Sequence, residues 1–341
     1  MKIQGADLRN KDRLPLQDVV PLSTPMLMYL EPTNLCNIEC AFCPTGDKPL
    51  LKSVGRPGGV MKWELFQKIV ADLKEFDRPL KIINFYKDGE PLVNKNYPEM
   101  VRYLKDAGVA ERIWAKTNGL LLKPEVNGRL AKCGLDMLGI SIIAPNNDGY
   151  LQTANVKADY ETLRENIADL FRRPIRPQIS IKMTDVGFSQ TDIDKFYSDF
   201  EPISDYITLD NLHGWSRTDL KDFTLGKAKD DTYDGVPNVN RIVCAWTLYQ
   251  MTINWNGLVQ PCNEDWSWVN IMGDASKQSL KEIWNGEVYR NFQIMHLEGR
   301  RHESKACASC YQMMSQIDDV DLYRKQILGK INDSSRILGG G

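Results

Sequence analysis

Three cysteines fall within eight residues near the start of the chain, in the run Cys36-Asn-Ile-Glu-Cys40-Ala-Phe-Cys43. Four thiolates complete the coordination of an iron–sulfur cube, so three leave one iron with an open site for another ligand. A structural zinc site needs a fourth Cys or His close by, and neither His213 nor any other His is near in sequence. An odd number of thiols in so tight a run does not suit a disulfide framework. The spacing therefore favours an iron–sulfur cluster over zinc.

The bulk composition is that of an ordinary globular chain. Its 341 residues, net charge of −2 and 42% hydrophobic content suit one large domain and a smaller one. No basic excess indicates nucleic acid, and no basic run indicates an anionic membrane surface. No signal peptide and no run of about 20 apolar residues is present. Eight cysteines in such a chain predict metal-binding thiols in a reducing cytoplasm.

After the cysteine run, strand patterns and helix patterns alternate along the chain. Six strand–helix steps follow one another with no hairpin signal between them, which argues for a parallel sheet with helical crossovers. Six steps fall short of the eight that close a full barrel, so we expect an open six-strand β/α barrel, although periodicity alone also allows a doubly wound sheet. The predicted strands cover residues 26–30, 80–86, 112–116, 137–143, 178–183 and 206–209, and the predicted helices cover 62–76, 97–107, 124–133, 159–172 and 190–200, the last with Thr191 as N-cap.

The cysteine spacing, with Phe42 directly before Cys43, resembles the motif of the radical S-adenosylmethionine (radical SAM) superfamily. The resemblance implies a partial (β/α)6 TIM-type barrel and a [4Fe–4S] cluster whose open iron binds the amino and carboxylate groups of SAM. It also implies reductive cleavage of SAM to methionine and a 5′-deoxyadenosyl radical, which takes a hydrogen atom from the substrate. The implied partners are a small-molecule substrate and an electron donor of the flavodoxin or ferredoxin type.

In parallel β/α folds the chemistry lies at the C-terminal ends of the strands. The loop Lys87-Asp88-Gly89-Glu90-Pro91, at the end of the second predicted strand, resembles the family's Gly-Gly-Glu-Pro motif, which implies that Gly89 and Glu90 hold the amino group of SAM. Asp88 replaces the first Gly, so we expect a stiffer loop that presents a carboxylate to substrate. At the ends of later strands, the resemblance implies contacts with the ribose or carboxylate of SAM from Asn118, Ser141 and Lys182.

A second cysteine set follows in the C-terminal third of the chain. Alternating apolar residues around Asn256-Gly257 predict a β-hairpin, and residues 280–297 predict a helix that returns the chain. Four thiolates there complete a closed site, either [4Fe–4S] or zinc. The segment resembles the twitch domain, the short form of the SPASM extension of radical SAM enzymes, which implies one auxiliary cluster that passes electrons. Its cysteines are Cys244, Cys262, Cys307 and Cys310.

These patterns divide the chain into five segments. We expect an N-terminal lead-in at 1–24, a radical SAM barrel at 25–216 and a linker at 217–240. The twitch domain then covers 241–315, and a C-terminal helix and tail cover 316–341.

Short-form members of the family include dehydrogenases and epimerases of aminoglycoside-type sugars and cyclitols. The resemblance therefore implies hydrogen abstraction from a carbinol carbon, with a base near the auxiliary cluster to take the hydroxyl proton. We favour oxidation over epimerisation because the only cysteine outside the two sets is Cys133, which we expect on the outer layer of the barrel; a Tyr could still return a hydrogen atom. The candidate bases are Glu264 and Asp265 first, then Asp88, Asp185 and His213.

Two other functions stay open as alternatives. Peptide-modifying relatives carry an N-terminal recognition domain, for which a 24-residue lead-in is too short. A non-catalytic iron–sulfur electron carrier explains both cysteine sets but not Gly89-Glu90 or the six strand–helix steps. Stacking surfaces for a sugar, nucleotide sugar or glycosylated molecule are expected from Trp215, His213, Trp266 and Trp268, although core packing explains tryptophans equally well.

Overall fold

The computed structural model describes residues 14–232 and 237–338, with side chains up to 333. Residues 1–13 of the predicted lead-in and 233–236 of the predicted linker lie outside the described residues. The strands are β1 (Leu27–Leu30), β2 (Leu80–Asn84), β3 (Ala110–Thr117), β4 (Met137–Ile142), β5 (Gln178–Asp185), β6 (Tyr206–Asn211), β7 (Gln250–Ile253), β8 (Leu258–Gln260) and β9 (Gly273–Asp274). The helices are α1 (Leu16–Val19), α2 (Lys48–Ser53), α3 (Trp63–Leu73), α4 (Tyr97–Ala107), α5 (Pro124–Lys132), α6 (Asn147–Ala154), α7 (Tyr160–Arg172), α8 (Gln190–Phe200), α9 (Leu280–Asn285), α10 (Glu287–Leu297), α11 (Lys305–Ala308) and α12 (Arg324–Leu338).

One sheet runs through the described residues in the order β6, β5, β4, β3, β2, β1, β7, β8, β9. The first six strands are all parallel to their neighbours, which confirms the predicted partial TIM-type barrel. The predicted hairpin is formed by β7 and β8, which are antiparallel. It is not separate from the barrel, because β7 pairs with β1 in parallel from Leu27↔Gln250 to Leu30↔Ile253.

The two faces of the barrel sheet differ in character. On β4, Leu138, Ile140 and Ile142 are buried on the outer face, while Met137, Gly139 and Ser141 on the inner face are only half-buried. The outer face packs against the helices. For example, Ile140 of β4 and Leu163 and Ile167 of α7 lie together around Gly119. The inner, concave face therefore stays open, and polar side chains occupy its C-terminal end.

Local differences from the predicted elements have simple causes. Helix α8 has the predicted bounds, but the predicted N-cap is wrong, because Ser189 rather than Thr191 accepts the capping bond from Asp192 N. The predicted helix 280–297 is two helices, interrupted where Gly286 adopts extended backbone. Along the described residues, no helix has both the length and the apolar surface to cross a membrane.

Candidate active site

The first cysteine loop leaves the C-terminal end of β1 and docks on α6. The backbone N–H groups of Glu39 and Ala41 donate to the carbonyls of Ala154 and Thr153, at 2.9 and 2.8 Å. Sequence periodicity missed this eight-residue helix. The C-terminal end of α6 has unpaired carbonyls, so it is well suited to anchor a loop that must keep a fixed shape.

Three thiols are presented by this loop. Cys36, Cys40 and Cys43 are half-buried and form no disulfide. Gly46 closes the loop, since a Cβ there would lie 2.5 Å from the carbonyl oxygen of Cys40. Burial raises the pKa of Cys43 to about 11. A bound metal centre would displace the protons from such thiols.

Asn118, a predicted SAM contact, lies beside the first thiol. Its Nδ2 is 3.9 Å from Cys36 Sγ and donates to Asn37 Oδ1 at 2.8 Å. Its backbone N–H donates to Glu90 Oε2 at 2.7 Å. The structure therefore brings the end of β3 to the cysteine loop, while the contact with SAM stays a prediction.

Glu90 joins the loops that follow β2 and β3. Besides Asn118 N, its carboxylate accepts from Thr117 Oγ1 at 2.8 Å and from Leu92 N at 3.0 Å. Burial raises the pKa of Glu90 to about 7, and these donors oppose the rise. Glu90 thus shapes the rim here, and its predicted contact with the amino group of SAM stays a prediction.

Gly89 lies where two chain segments touch. A Cβ at this position would lie 2.5 Å from the carbonyl oxygen of Thr33 and 2.6 Å from that of Leu35. The next residue, Glu90, donates its backbone N–H to Leu35 O at 2.9 Å. Glycine is required by this close approach of the β2 loop to the chain that enters the cysteine loop.

Asp88 belongs to a buried charge network rather than facing the open concave face. Its Oδ2 is 2.7 Å from the Arg56 guanidinium and 3.1 Å from Lys87 Nζ, and Glu31 lies 3.5 Å from the same guanidinium. All four side chains are at most 2% exposed. Two anions and two cations thereby compensate one another between the cysteine loop and the β2 loop.

Lys87 ties this network to the second half of the chain. Its Nζ donates to Asn254 Oδ1 at 2.9 Å and to Gln260 Oε1 at 3.0 Å, both on the β7–β8 hairpin. Gln260 Nε2 in turn donates to the carbonyl of Asp265 at 2.9 Å. The loop after β2 is therefore fastened to the segment that carries Cys262.

The second cysteine set shares one buried environment. Burial raises the pKa of Cys262, and the nearby thiols of Cys244 and Cys310 raise it further. Gln316 Nε2 donates to Cys244 Sγ at 2.9 Å, and Glu264 N donates to Cys262 Sγ at 3.4 Å. The structure thus gathers thiols far apart in sequence, namely Cys244, Cys262, Cys307 and Cys310.

Both cysteine sets fit iron–sulfur clusters. Within residues 14–232 and 237–338, no three His, Cys, Asp or Glu side chains converge closely enough to hold a single metal ion. Cluster ligands stand further apart because each holds a different iron. The N–H groups aimed at Cys244 and Cys262 are the polar surroundings that tune such thiolates. The second set can therefore complete one cluster, and the first set leaves one iron open.

Two aromatic rings and a lysine line the concave face between the cysteine sets. The Lys116 ammonium lies 5.4 Å from the centroid of the Tyr86 ring. Tyr29 meets Tyr86 edge-on, with ring centroids 5.6 Å apart. Burial raises the pKa of Tyr86 to about 12, so both phenols stay protonated donors at neutral pH.

Ser141 and Lys182, two further predicted SAM contacts, are opposite each other on β4 and β5. Lys182 Nζ pairs with Asp210 Oδ2 at 2.7 Å, and Thr208 Oγ1 donates to Asp210 Oδ1 at 2.9 Å. The ion pair holds the pKa of Asp210 below its usual value against the effect of burial. Both residues face the open side, and their roles toward SAM stay predictions.

Glu264, the first candidate base, connects the concave face to the second cysteine set. Its side chain accepts from Asn263 Nδ2 at 2.7 Å. Burial raises its pKa to about 7, with a further rise from Asp88 and opposing effects of Asn263, Lys87 and Lys116. Its role as the base stays a prediction.

The carboxylate of Asp265 stabilises the same loop through hydrogen bonds. Its Oδ2 accepts from Asn270 N at 2.7 Å, and its Oδ1 accepts from Val269 N and Ser267 Oγ at 3.2 Å each. These bonds close the turn after Cys262. The carboxylate is therefore less suited than Glu264 to accept a proton from substrate.

The remaining candidate bases lie at the far strands. Asp185 Oδ1 accepts from Gly187 N at 2.8 Å and its Oδ2 pairs with Lys229 at 3.3 Å, at the end of β5. His213 is buried, and burial lowers its pKa despite the nearby Asp210. The roles of both as bases stay untested predictions.

The tryptophans expected to form stacking surfaces have other contacts. Trp215 Nε1 donates to the carbonyl of Phe42 at 2.9 Å and so fixes the cysteine loop. Trp266 is fully buried and donates to Ser216 O at 2.8 Å. Trp268 lies under the Arg56 guanidinium, 5.4 Å from it. Trp266 is therefore a core residue and offers no stacking surface.

Three residues of the site were assigned no role from the sequence. Lys116 is at an inner-face position of β3, which strand alternation could have identified. Tyr86 follows the end of β2 by two residues, and its ring lies beside Lys116. Arg56 follows no pattern, because it comes from a Gly- and Pro-rich loop and pairs with residues 25 and 32 positions away.

Comparison with known families matches two parts of the chain. The profile of the radical SAM superfamily matches residues 30–198, and that of the SPASM iron-sulfur cluster-binding domain matches residues 244–311. These domains bind a [4Fe–4S] cluster with SAM and auxiliary iron–sulfur clusters, respectively.

Two relatives and one crystal structure are similar over most of their length. The tungsten-containing aldehyde ferredoxin oxidoreductase cofactor-modifying protein of Pyrococcus furiosus is 24% identical, over 83% of this chain and 86% of its own. The S-adenosyl-L-methionine-dependent 2-deoxy-scyllo-inosamine dehydrogenase of Niallia circulans is 21% identical, over 86% of this chain and 95% of its own. The crystal structure of BtrN in complex with AdoMet and 2-DOIA has a TM-score of 0.51 at 20% identity, over 84% and 92% of the two chains.

Proposed function

Because the chain belongs to the radical SAM superfamily and carries a SPASM domain, we propose that it oxidises a carbinol carbon of a carbohydrate-like small molecule. The substrate would be a sugar, cyclitol or nucleotide sugar, bound on the concave face. A flavodoxin- or ferredoxin-type protein would supply the reducing electron. The dehydrogenase named for 2-deoxy-scyllo-inosamine supports this reaction class by its likeness over most of the chain.

The observation that carries the proposal is the position of the open polar face between two thiol sets. On one side of this face, Asn118 at the end of β3 lies beside the sulfur of Cys36. Cys262 is reached through Glu264, whose backbone N–H donates to its sulfur and whose carboxylate interacts with Lys116. A substrate on this face would have one thiol set on each side, which an oxidation with separate hydrogen and electron acceptors requires.

Each part of the reaction has a residue or group to receive it. When bound, SAM and the two clusters would supply an acceptor for the carbinol hydrogen atom and an acceptor for the remaining electron. Glu264 takes the hydroxyl proton. With the loss of one hydrogen atom, one proton and one electron, the alcohol becomes a carbonyl. The cofactor-holding residues are Cys36, Cys40, Cys43 for the first cluster and Cys244, Cys262, Cys307, Cys310 for the second.

Oxidation is favoured over epimerisation by the place of the eighth cysteine. Cys133 is buried beyond α5 and its thiol donates to Leu130 O at 3.1 Å, on the helical side of the sheet. An epimerase would need a hydrogen donor on the concave face, and Tyr86 is the residue there that supports this second candidate.

The test is SAM cleavage by anaerobically reconstituted protein with dithionite, measured as 5′-deoxyadenosine. We expect cleavage, and with myo-inositol, glucosamine or UDP-glucose a carbonyl product in equal amount from the accepted substrate. Glu264→Gln should keep SAM cleavage but lose oxidation by about 10²–10⁴-fold, whereas Glu111→Gln on the surface should change neither. Solvent deuterium in unoxidised substrate would identify an epimerase. No SAM cleavage at full iron loading would refute the proposal and favour an electron carrier.

A further inference from the structure

Lys116 projects from β3 into the concave face. Its neighbours in the strand, Ala115 and Thr117, are buried on the opposite face, as strand alternation requires. In the parallel pairing it is opposite Gly139 of β4. A Cβ at Gly139 would lie 3.0 Å from Cγ of Lys116, so glycine leaves the room in which this long side chain lies.

The other lysines near this face are paired, but Lys116 is not. Lys182 is bound to Asp210 at 2.7 Å, and Lys87 is 3.1 Å from Asp88. Within the part of the chain that the structure describes, Lys116 Nζ has no hydrogen bond and no ion pair. Among the described residues the ammonium therefore lies over the Tyr86 ring, 5.4 Å from its centroid, and pairs with no carboxylate.

The surroundings of Lys116 are enclosed yet reachable. The residue is exposed to solvent, although burial among the surrounding strands lowers its pKa. Asp210 and Glu264 act in the opposite direction from further away. Lys116 therefore lies on the open concave face, surrounded by protein yet reached by water, and a cation without an anionic partner in such a place is stabilised by a negative ligand.

We propose that Lys116 binds an anionic group of the substrate, either a carboxylate or a phosphate. This inference rests on the proposed function, because it assigns a chemical class to the substrate of that reaction. Tyr86, whose ring lies 5.4 Å from the ammonium and whose phenol is hydrogen-bonded to Tyr29, adds a phenol group to the same part of the concave face. The cation and this phenol together form a site for an oxygen anion.

The size of the effect follows from one charge-assisted hydrogen bond. Its loss should weaken anion binding about ten- to a hundredfold. Lys116→Met removes the charge while keeping the shape of the stem. Lys116→Arg keeps a permanent cation that also binds carboxylates and phosphates, so it should stay within about tenfold of the parent. Lys325→Met, an exposed position on α12, is the matched control.

The experiment is isothermal titration calorimetry on the anaerobically reconstituted full chain. The probes are pyrophosphate, citrate, UDP-glucose and neutral myo-inositol. We expect an anionic probe to bind the parent and Lys325→Met equally, and Lys116→Met at least about tenfold more weakly. Pyrophosphate or UDP-glucose without citrate would identify a phosphate, and citrate alone a carboxylate.

Two outcomes would overturn the assignment of Lys116: no anionic probe binds the parent, or Lys116→Met binds the anion as the parent does. SAM cleavage is measured in the same preparations. Absence of cleavage in the parent would overturn the proposed function itself, whereas cleavage without anion binding would overturn only the role of Lys116.

Discussion

Asp88→Asn removes the charge that compensates two buried cations. The carboxylate lies 2.7 Å from Arg56 and 3.1 Å from Lys87, and the side chains involved are at most 2% exposed. After the substitution, Glu31, at 3.5 Å from Arg56, is the only anion left in the network for both cations. Breaking a buried pair by removing one partner costs about 3–5 kcal/mol because the other charge stays buried. We expect the free energy of unfolding to fall by about that amount.

The assay is guanidinium denaturation of anaerobically reconstituted protein, followed by circular dichroism. Asp106→Asn is the control, because Asp106 pairs with Arg102 on the surface, where the side chains are 65% and 60% exposed. Such a pair is worth less than about 1 kcal/mol. Adding Arg56→Met to Asp88→Asn should cost less than the sum of the single changes, since they share one interaction. The reasoning is refuted if Asp88→Asn costs no more than Asp106→Asn.

Two further predictions concern packing and titration. Gly89→Ala should abolish SAM cleavage, because its Cβ would lie 2.5 Å from Thr33 O, whereas Gly128→Ala on α5, with its nearest neighbour at 3.4 Å, should keep it; equal activity of both variants would contradict this. Burial lowers the pKa of His296 to about 4, and neither ring nitrogen has a hydrogen-bond partner among the described residues. Between these two pKa values the imidazole of His296 is protonated in the unfolded chain but neutral in the folded protein. The free energy of unfolding should therefore fall by up to about 3 kcal/mol as the pH drops from about 6.5 to 4. Denaturation against pH should show a flatter profile for His296→Phe, which packs like the neighbouring Phe292; an unchanged profile would exclude this cause.

The sequence was sufficient for those features that leave local patterns. The alternation of strands and helices predicted the barrel, and the spacing around Cys36 and Cys262 predicted both thiol sets. Gly89 was predicted from its motif. The reason that a glycine is needed there, its close contact with Thr33 and Leu35, is visible only in the structure.

Other features depend on pairings that no local pattern records. The parallel pairing of β1 with β7 joins residues more than 200 positions apart and makes one sheet of two predicted domains. Asp88 was expected to face substrate because its partner Arg56, in an irregular loop, could not be foreseen. Lys116 is unusual only because its neighbours on the concave face are paired or small, which requires knowing the register.

The central claim is that seven cysteines form two separate iron–sulfur sites with the substrate face between them. The most direct measurement is iron and sulfide content of anaerobically reconstituted protein. We predict about eight irons per chain, about four after Cys36, Cys40 and Cys43 are replaced by Ala, and about four after Cys244, Cys262, Cys307 and Cys310 are replaced. SAM cleavage should be lost only in the first variant. The account would be contradicted by about four irons in the parent and no loss of iron in the second variant. The second cysteine set would then be interpreted as a zinc site.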